Sequence, residues 1–367
     1  MQNRPAVKAA KLRIDQAKLS ARALGAPPST KIGVGYSTNP NIGATDQDAF
    51  LSQPVDIFGR TQAGRQSGSA LVEQAEASYL GEVLDIQTDV LEALTVAVAA
   101  NKLSATADSI LQNAEQVNSA VQKKLDAGRV PEVQLTRASI EVVRAKQNSD
   151  LRRSEKRAAL TRLSMQLGQE VKESDLTDFP NLIDLTNPNV AQRPELLALA
   201  ADIKAANAEG SLARANARPE LELQGLRSPW GNPGSQFGAR IQFSWAFSDS
   251  GKSRNERRSA ERKAQATAES LRDATAKAEA ELSASLQELA GAKSQIDSYA
   301  SLIESTRTLM RKTQIGYDQG ASTLLDMLEA TRALREVEEG SILAMQRYTE
   351  AKIAVYRATG VLLGGAK

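Results

Sequence analysis

The chain has 367 residues, enough for two or three ordinary domains, and only 4% of them are aromatic, which suits closely packed helices better than a thick globular core. Lys and Arg total 46 against 44 Asp and Glu, so a net charge of +2 gives no broad electrostatic case for nucleic acid. Cys and His are absent, which excludes disulfides, thiolate or imidazole metal sites, and any mechanism using either residue as nucleophile or base.

Met1-Gln2-Asn3 runs directly into helix-like sequence, so no secretory signal peptide is expected within the chain. Residues 4–25 read as a helix ended by Gly25 and Pro27-Pro28. Residues 29–38 alternate, with Ile32, Val34 and Tyr36 on one side and Lys31, Gly33 and Gly35 on the other. A loop from Asn39 to Gly43 leads to a second extended stretch, 49–55. Residues 60–126 then run without Pro, a helix of roughly 100 Å at 1.5 Å per residue. The turn Asp126-Ala127-Gly128-Arg129-Val130 returns the chain into a shorter helix, 131–168. A polar, Pro-containing connector covers 169–192. The same order follows again: helix 193–217, strands 219–227 and 236–247, helix 252–318, a turn at Asp318-Gln319-Gly320-Ala321-Ser322, and helix 323–360. No apolar run approaches the roughly 20 residues of a membrane-spanning helix.

The second copy repeats the first. Gly59, Gly128 and Gly168 recur as Gly251, Gly320 and Gly360, each 192 residues later (59 to 251, 128 to 320, 168 to 360). A unit this long is a duplicated half-protein, not a short solenoid repeat. Leu282, Leu289, Ile296, Ile303, Met310 and Tyr317 fall seven apart, as do Leu84, Leu91 and Val98, a period that demands supercoiling against neighbouring helices. Residues 237–247 carry the strongest strand pattern. Phe237, Ala239, Ile241, Phe243, Trp245 and Phe247 share one face, with Gly238, Arg240, Gln242 and Ser244 opposite. Such a face expects a core or lipid. Two strand hairpins give four strands, too few to close a barrel, and an open edge is a sticky one. The pattern therefore asks for self-association, with eight strands as a dimer or twelve as a trimer. The polar face, with Lys31, Glu220, Glu222, Arg240 and Gln242, would line a wet lumen.

The chain resembles the TolC-like outer-membrane factor family over roughly 4–363. The most specific segments are Ser52-Gln53-Pro54-Val55-Asp56-Ile57-Phe58-Gly59-Arg60 and Gly316-Tyr317-Asp318-Gln319-Gly320-Ala321-Ser322-Thr323-Leu324-Leu325-Asp326. The resemblance implies a mainly α fold with a small β part, built as two tandem repeats of a long coiled α-hairpin plus a β-hairpin. It implies a homotrimer with a 12-stranded barrel in outer-membrane lipid, a 12-helix periplasmic tunnel, and an equatorial collar that includes 169–192. The function implied is the passive exit duct of a tripartite efflux pump or type I secretion system, working with a periplasmic adaptor and an inner-membrane pump. No enzymatic role, cofactor, metal or nucleic acid is expected. The short helix that the family carries before the first repeat, and the N-terminal Cys that many members lipidate, are not in this sequence.

The resemblance also assigns sites. Asp326 and Glu329 lie three apart on one helix face just past Gly320, and the family's acids at these positions form rings that constrict the tunnel mouth. The simpler reading is that acids near a helix N-terminus complement its dipole. Tyr317 continues the apolar seven-residue series; in the family a Tyr here hydrogen-bonds to the first tip, where Gln134 stands, and helps to hold the tunnel closed. Gly128, Arg129 and Val130, with Gly320, Ala321 and Ser322, form the tips that meet the adaptor, or simply cap helices. Phe237, Ile241, Phe243, Trp245 and Phe247 are expected to face lipid. Two other readings compete. A periplasmic adaptor has one helical hairpin flanked by many β segments, unlike this chain. A soluble coiled-coil scaffold leaves the aromatic face at 237–247 unexplained.

Overall fold

The computed structural model describes residues 4–39, 44–231, 234–245 and 249–362. Its elements, in chain order, are α1 (Pro5–Leu24), β1 (Lys31–Asn39), β2 (Ala44–Val55), α2 (Arg60–Asp126), α3 (Glu132–Leu167), a 3-10 turn (Glu173–Asp175), α4 (Pro194–Asn216), β3 (Glu220–Gly231), β4 (Gly234–Ser244), α5 (Lys252–Asp318) and α6 (Leu324–Thr359). The fold is mainly α with a small β part. No helix among the described residues is long and apolar enough to cross a membrane.

Local chemistry sets the helix ends. α1 and α4 each start with Pro at the first helical position, after Arg4 and Arg193, where the missing N–H costs nothing. α2 and α5 are each 67 residues long and each starts beside an Asp. The Asp56 carboxylate accepts from the backbone N–H of Gly59 (2.9 Å), Arg60 (3.0 Å) and Thr61 (2.6 Å). Asp249 accepts from Gly251 and Ser253, both at 2.9 Å. The six repeated glycines, 59, 128, 168, 251, 320 and 360, all have positive φ. The repeat is thus a repeat of helix boundaries.

The chain divides into two compact units that cut across the sequence repeats: Gln2–Glu82 with Arg193–Ala276, and Val83–Gln192 with Lys277–Lys367. The first contains all four strands, in one antiparallel sheet of order β1-β2-β3-β4. β2 pairs with β3 (Leu51 opposite Gly225, Val55 opposite Leu221), so the sheet joins the two repeats directly. The strand limits differ from the sequence reading, most of all in β2, β3 and β4. β2 starts at Ala44 instead of 49, because its polar first residues pair with β1 up to Asn39 opposite Ala44. β3 continues past 227 to Gly231, with a register shift between Ser228 and Gly231. β4 covers Gly234–Ser244, leaving Trp245 just beyond it; Phe247 lies outside the described residues.

One sheet face carries Ile32, Val34, Tyr36, Leu51, Leu223, Phe237, Ile241 and Phe243, all exposed in the single chain. The other carries Lys31, Ser52, Glu222, Gln224, Arg240 and Gln242. There Ser52 and Gln224 each donate to the Glu222 carboxylate at 3.1 Å. Beside the sheet, α1 lies so close to α2 that a Cβ on Gly64 would stand 2.0 Å from the Leu24 carbonyl oxygen, and one on Gly68 would stand 2.6 Å from Ala21 Cα.

The second unit is helical, and its core is built from small and medium residues. Ala97, Val98, Ala159 and Leu163 pack with Leu176 of the connector, and Leu182 of the connector packs on Ile353 and Tyr356. The Tyr356 hydroxyl donates to the Ile183 carbonyl at 2.7 Å. The seven-residue series on α5 faces inward, and Ala292, Tyr299, Thr306 and Thr313 form a second inward row, so the seam has the two-position form of a coiled coil. The hydroxyl end of Tyr299 packs against α6: a Cβ at Gly340 would come within 2.7 Å of its ring.

Candidate functional site

The two helical tips are built alike. At the first, Gly128 has φ +64°, its N–H reaches the Leu125 carbonyl, and the Arg129 N–H reaches the Lys124 carbonyl, both at 2.8 Å. At the second, Gly320 has φ +78°, its N–H reaches the Tyr317 carbonyl at 3.2 Å, and the Ala321 N–H reaches the Gly316 carbonyl at 2.7 Å. This double bond pattern, with glycine in the left-handed region, ends each helix and reverses the chain. Gly128, Arg129, Gly320 and Ala321 are exposed, while Val130 and Ser322 are half-buried. Ser322 folds back against Gly316, where a Cβ would stand 2.4 Å from its hydroxyl oxygen.

Beneath the tips, Val121, Ala138, Tyr317, Leu324, Met327 and Leu328 form one buried cluster, with Val117, Val130 and Leu135 packed against it. Tyr317 is 8% exposed. Its hydroxyl and the Gln134 side-chain oxygen are each buried without a hydrogen-bond partner, so the expected Tyr317–Gln134 hydrogen bond is not made in the single chain. Instead, the Lys124 ammonium lies 3.8 Å from the centre of the Tyr317 ring and 3.9 Å from Asp318. Burial, with the nearby Asp318 charge, pushes the Tyr317 hydroxyl pKa up, so the phenol stays protonated.

Asp326 and Glu329 are exposed, while Leu324, Met327 and Leu328 around them on α6 are buried. Asp326 already has a local task. Its carboxylate accepts from the Thr323 backbone N–H and hydroxyl, both at 2.8 Å, while Thr323 Oγ1 accepts from the Asp326 N–H at 3.2 Å. This reciprocal capping box opens α6, and the Thr323 N–H, then its hydroxyl, hold the Asp326 carboxyl below its ordinary pKa. The Thr323-x-x-Asp326 spacing signals it in the sequence.

The sequence reading did not anticipate the ties between α3 and α6. Arg332 reaches Glu141 at 2.7 Å, and Arg152 reaches Glu339 at 3.2 Å while also bonding Glu155 at 2.9 Å. The Glu141 side chain is only 11% exposed. No short-range pattern marks pairs so far apart in sequence. Among the described residues, no cluster of acids is arranged to hold a metal ion.

The sequence profile of the family described as "Outer membrane efflux protein" matches residues 1–169 and 188–361, nearly the whole chain. The chain belongs to the outer membrane efflux protein family. A curated relative from Pseudomonas aeruginosa, the pyoverdine export outer membrane protein OpmQ, is 24% identical, covering 96% of this chain and 81% of its own. Among solved structures, the outer membrane protein VceC from Vibrio cholerae superposes with a TM-score of 0.76 at 16% identity, covering 98% of this chain and 93% of its own. The open-state MtrE outer membrane channel of Neisseria gonorrhoeae gives a TM-score of 0.76 at 17% identity, covering 97% and 86%. As an outer-membrane efflux protein, the chain is an exit duct of an efflux system in the outer membrane. Its helices carry the bulk of the fold.

Proposed function

We propose that three copies of this efflux protein assemble into one duct, with a 12-stranded barrel above a 12-helix periplasmic tunnel. The observation that carries this reading is the sheet: four strands, open at β1 and β4, with one face apolar and exposed. Pairing β4 of one copy with β1 of the next satisfies both edges and turns Phe237, Ile241, Phe243 and Trp245 to lipid. Glu222, Gln224, Arg240 and Gln242 then face a wet lumen. The exposed tips at Gly128-Arg129 and Gly320-Ala321 meet a periplasmic adaptor, which links the duct to an inner-membrane pump. Asp326 and Glu329, tripled by symmetry, ring the mouth, and Tyr317 and Gln134 belong to the closure. OpmQ's name makes a small exported organic solute the first cargo to test.

The test is mass measurement in detergent together with strand parity. Three chains per particle are expected. Phe243→Arg should block membrane assembly, because a cation facing mid-bilayer lipid costs about 2–4 kcal/mol, while Gln242→Arg should assemble normally. A stable water-soluble monomer, or the reverse parity, refutes the reading.

A further inference from the structure

The helical unit near its tips encloses a cavity of about 280 Å³. α2 contributes Ile110 and Val117 to its wall, α5 contributes Met310 and Tyr317, and α6 contributes Met327 and Arg335. An apolar cavity of about 150 Å³ holds one benzene ring, so this one has room for two linked or fused rings.

Its wall carries two acids, Glu141 and Asp318, and two bases, Arg332 and Arg335. Glu141 and Arg332 neutralise each other at 2.7 Å. Asp318 lies 3.9 Å from Lys124. Arg335 is half-buried and has no ion-pair or hydrogen-bond partner among the described residues. Arg335 is thus the one charge on the wall without an ion-pair partner, and a guanidinium is suited to a planar, two-oxygen anion. Tyr317 is itself 8% exposed and its hydroxyl has no acceptor, so the same wall holds an unused donor.

We propose that this cavity is a binding site for small aromatic carboxylates, with the rings among Met310, Met327, Ile110 and Val117 and the carboxylate on Arg335. Thioethers suit this use: they are polarizable, adapt to ring shape and make favourable contacts with aromatic edges. The site lies within one chain and is tested separately from the trimer reading.

Benzophenone-4-carboxylate is the probe, since it has two linked rings, one carboxylate, and a ketone that photo-inserts into Met C–H bonds. The full chain in detergent is irradiated with increasing probe, and adducts are mapped by peptide mass spectrometry. Saturable labelling is expected at Met310 and Met327, and not at Met165, which is 72% exposed. Arg335→Gln should weaken the half-saturation concentration by about tenfold, the loss of one charge-assisted hydrogen bond. Arg335→Lys should lose less affinity than Arg335→Gln, because the charge stays while the two-pronged donor is lost, and uncharged benzophenone should not distinguish the wild-type chain from Arg335→Gln. Labelling that favours Met165, that ignores Arg335→Gln, or that falls equally in Arg335→Lys overturns the proposal.

Discussion

The Glu141–Arg332 pair predicts an asymmetry between its two single variants. Glu141 is the buried partner: its side chain is 11% exposed, against 37% for Arg332. Arg332→Leu leaves a buried carboxylate whose remaining cation, Arg144, is 3.9 Å away and itself 61% exposed. Breaking a buried pair from one side costs about 3–5 kcal/mol, and the partial help from Arg144 puts this case near 3 kcal/mol. Glu141→Gln is milder. Its amide oxygen still accepts from Arg332, whose guanidinium already reaches solvent, so the loss is about 1 kcal/mol. The difference of about 2 kcal/mol corresponds to about thirtyfold in the unfolding equilibrium. Glu141→Leu combined with Arg332→Leu should recover most of the stability, because two apolar side chains of similar size replace the pair without stranding a charge. Denaturant unfolding of the detergent-solubilised protein, followed by far-UV circular dichroism, reads the ranking. If Glu141→Gln costs as much as Arg332→Leu, or the double variant is the worst of the three, the burial argument is wrong.

Gly64→Ala should destabilise by about 1–3 kcal/mol, since the new methyl group meets the Leu24 carbonyl and cannot be relieved by a side-chain rotation; thermal unfolding that is unchanged would show that α1 is not held there. Asp56→Ala should cost about 1–2 kcal/mol by removing the cap of α2. The same carboxyl gives a pH signature: burial alone would raise its pKa, but hydrogen bonds from Thr61, Arg60 and Gly59 lower it from 3.8 to about 2. Its folded pKa lies below the unfolded one, so its contribution is complete above about pH 4 and disappears as pH falls toward 2. Wild type should lose this increment in acid denaturation and Asp56→Ala should not, because it never had it. Asp326→Asn with Glu329→Gln should weaken block by divalent cations in single-channel recordings; unchanged block would mean that Asp326 serves only the α6 cap.

Much of this protein is local. The ends of α2, α3, α5 and α6 depend on glycines at positive φ and on capping side chains, and such preferences are properties of a few adjacent residues. The seven-residue series follows from helix geometry, and the alternation at 237–243 from strand geometry, so both are visible in the residues themselves. Even the capping role of Asp326 was written in the Thr323 spacing, although the family resemblance invites a larger reading. Other features required the chain to be folded. Nothing in the residues of β2 or β3 says that these two strands, from different repeats, pair with each other. Backbone ladders carry no address, and the choice rests on how the helices bring the hairpins together. The close approaches at Gly64 and Gly340, and the ties Glu141–Arg332 and Arg152–Glu339, have the same origin. A glycine or a charge in a long helix is ambiguous by itself, because a solvated face and a packed one use the same residues. Only the neighbour that arrives from a distant part of the chain decides which it is.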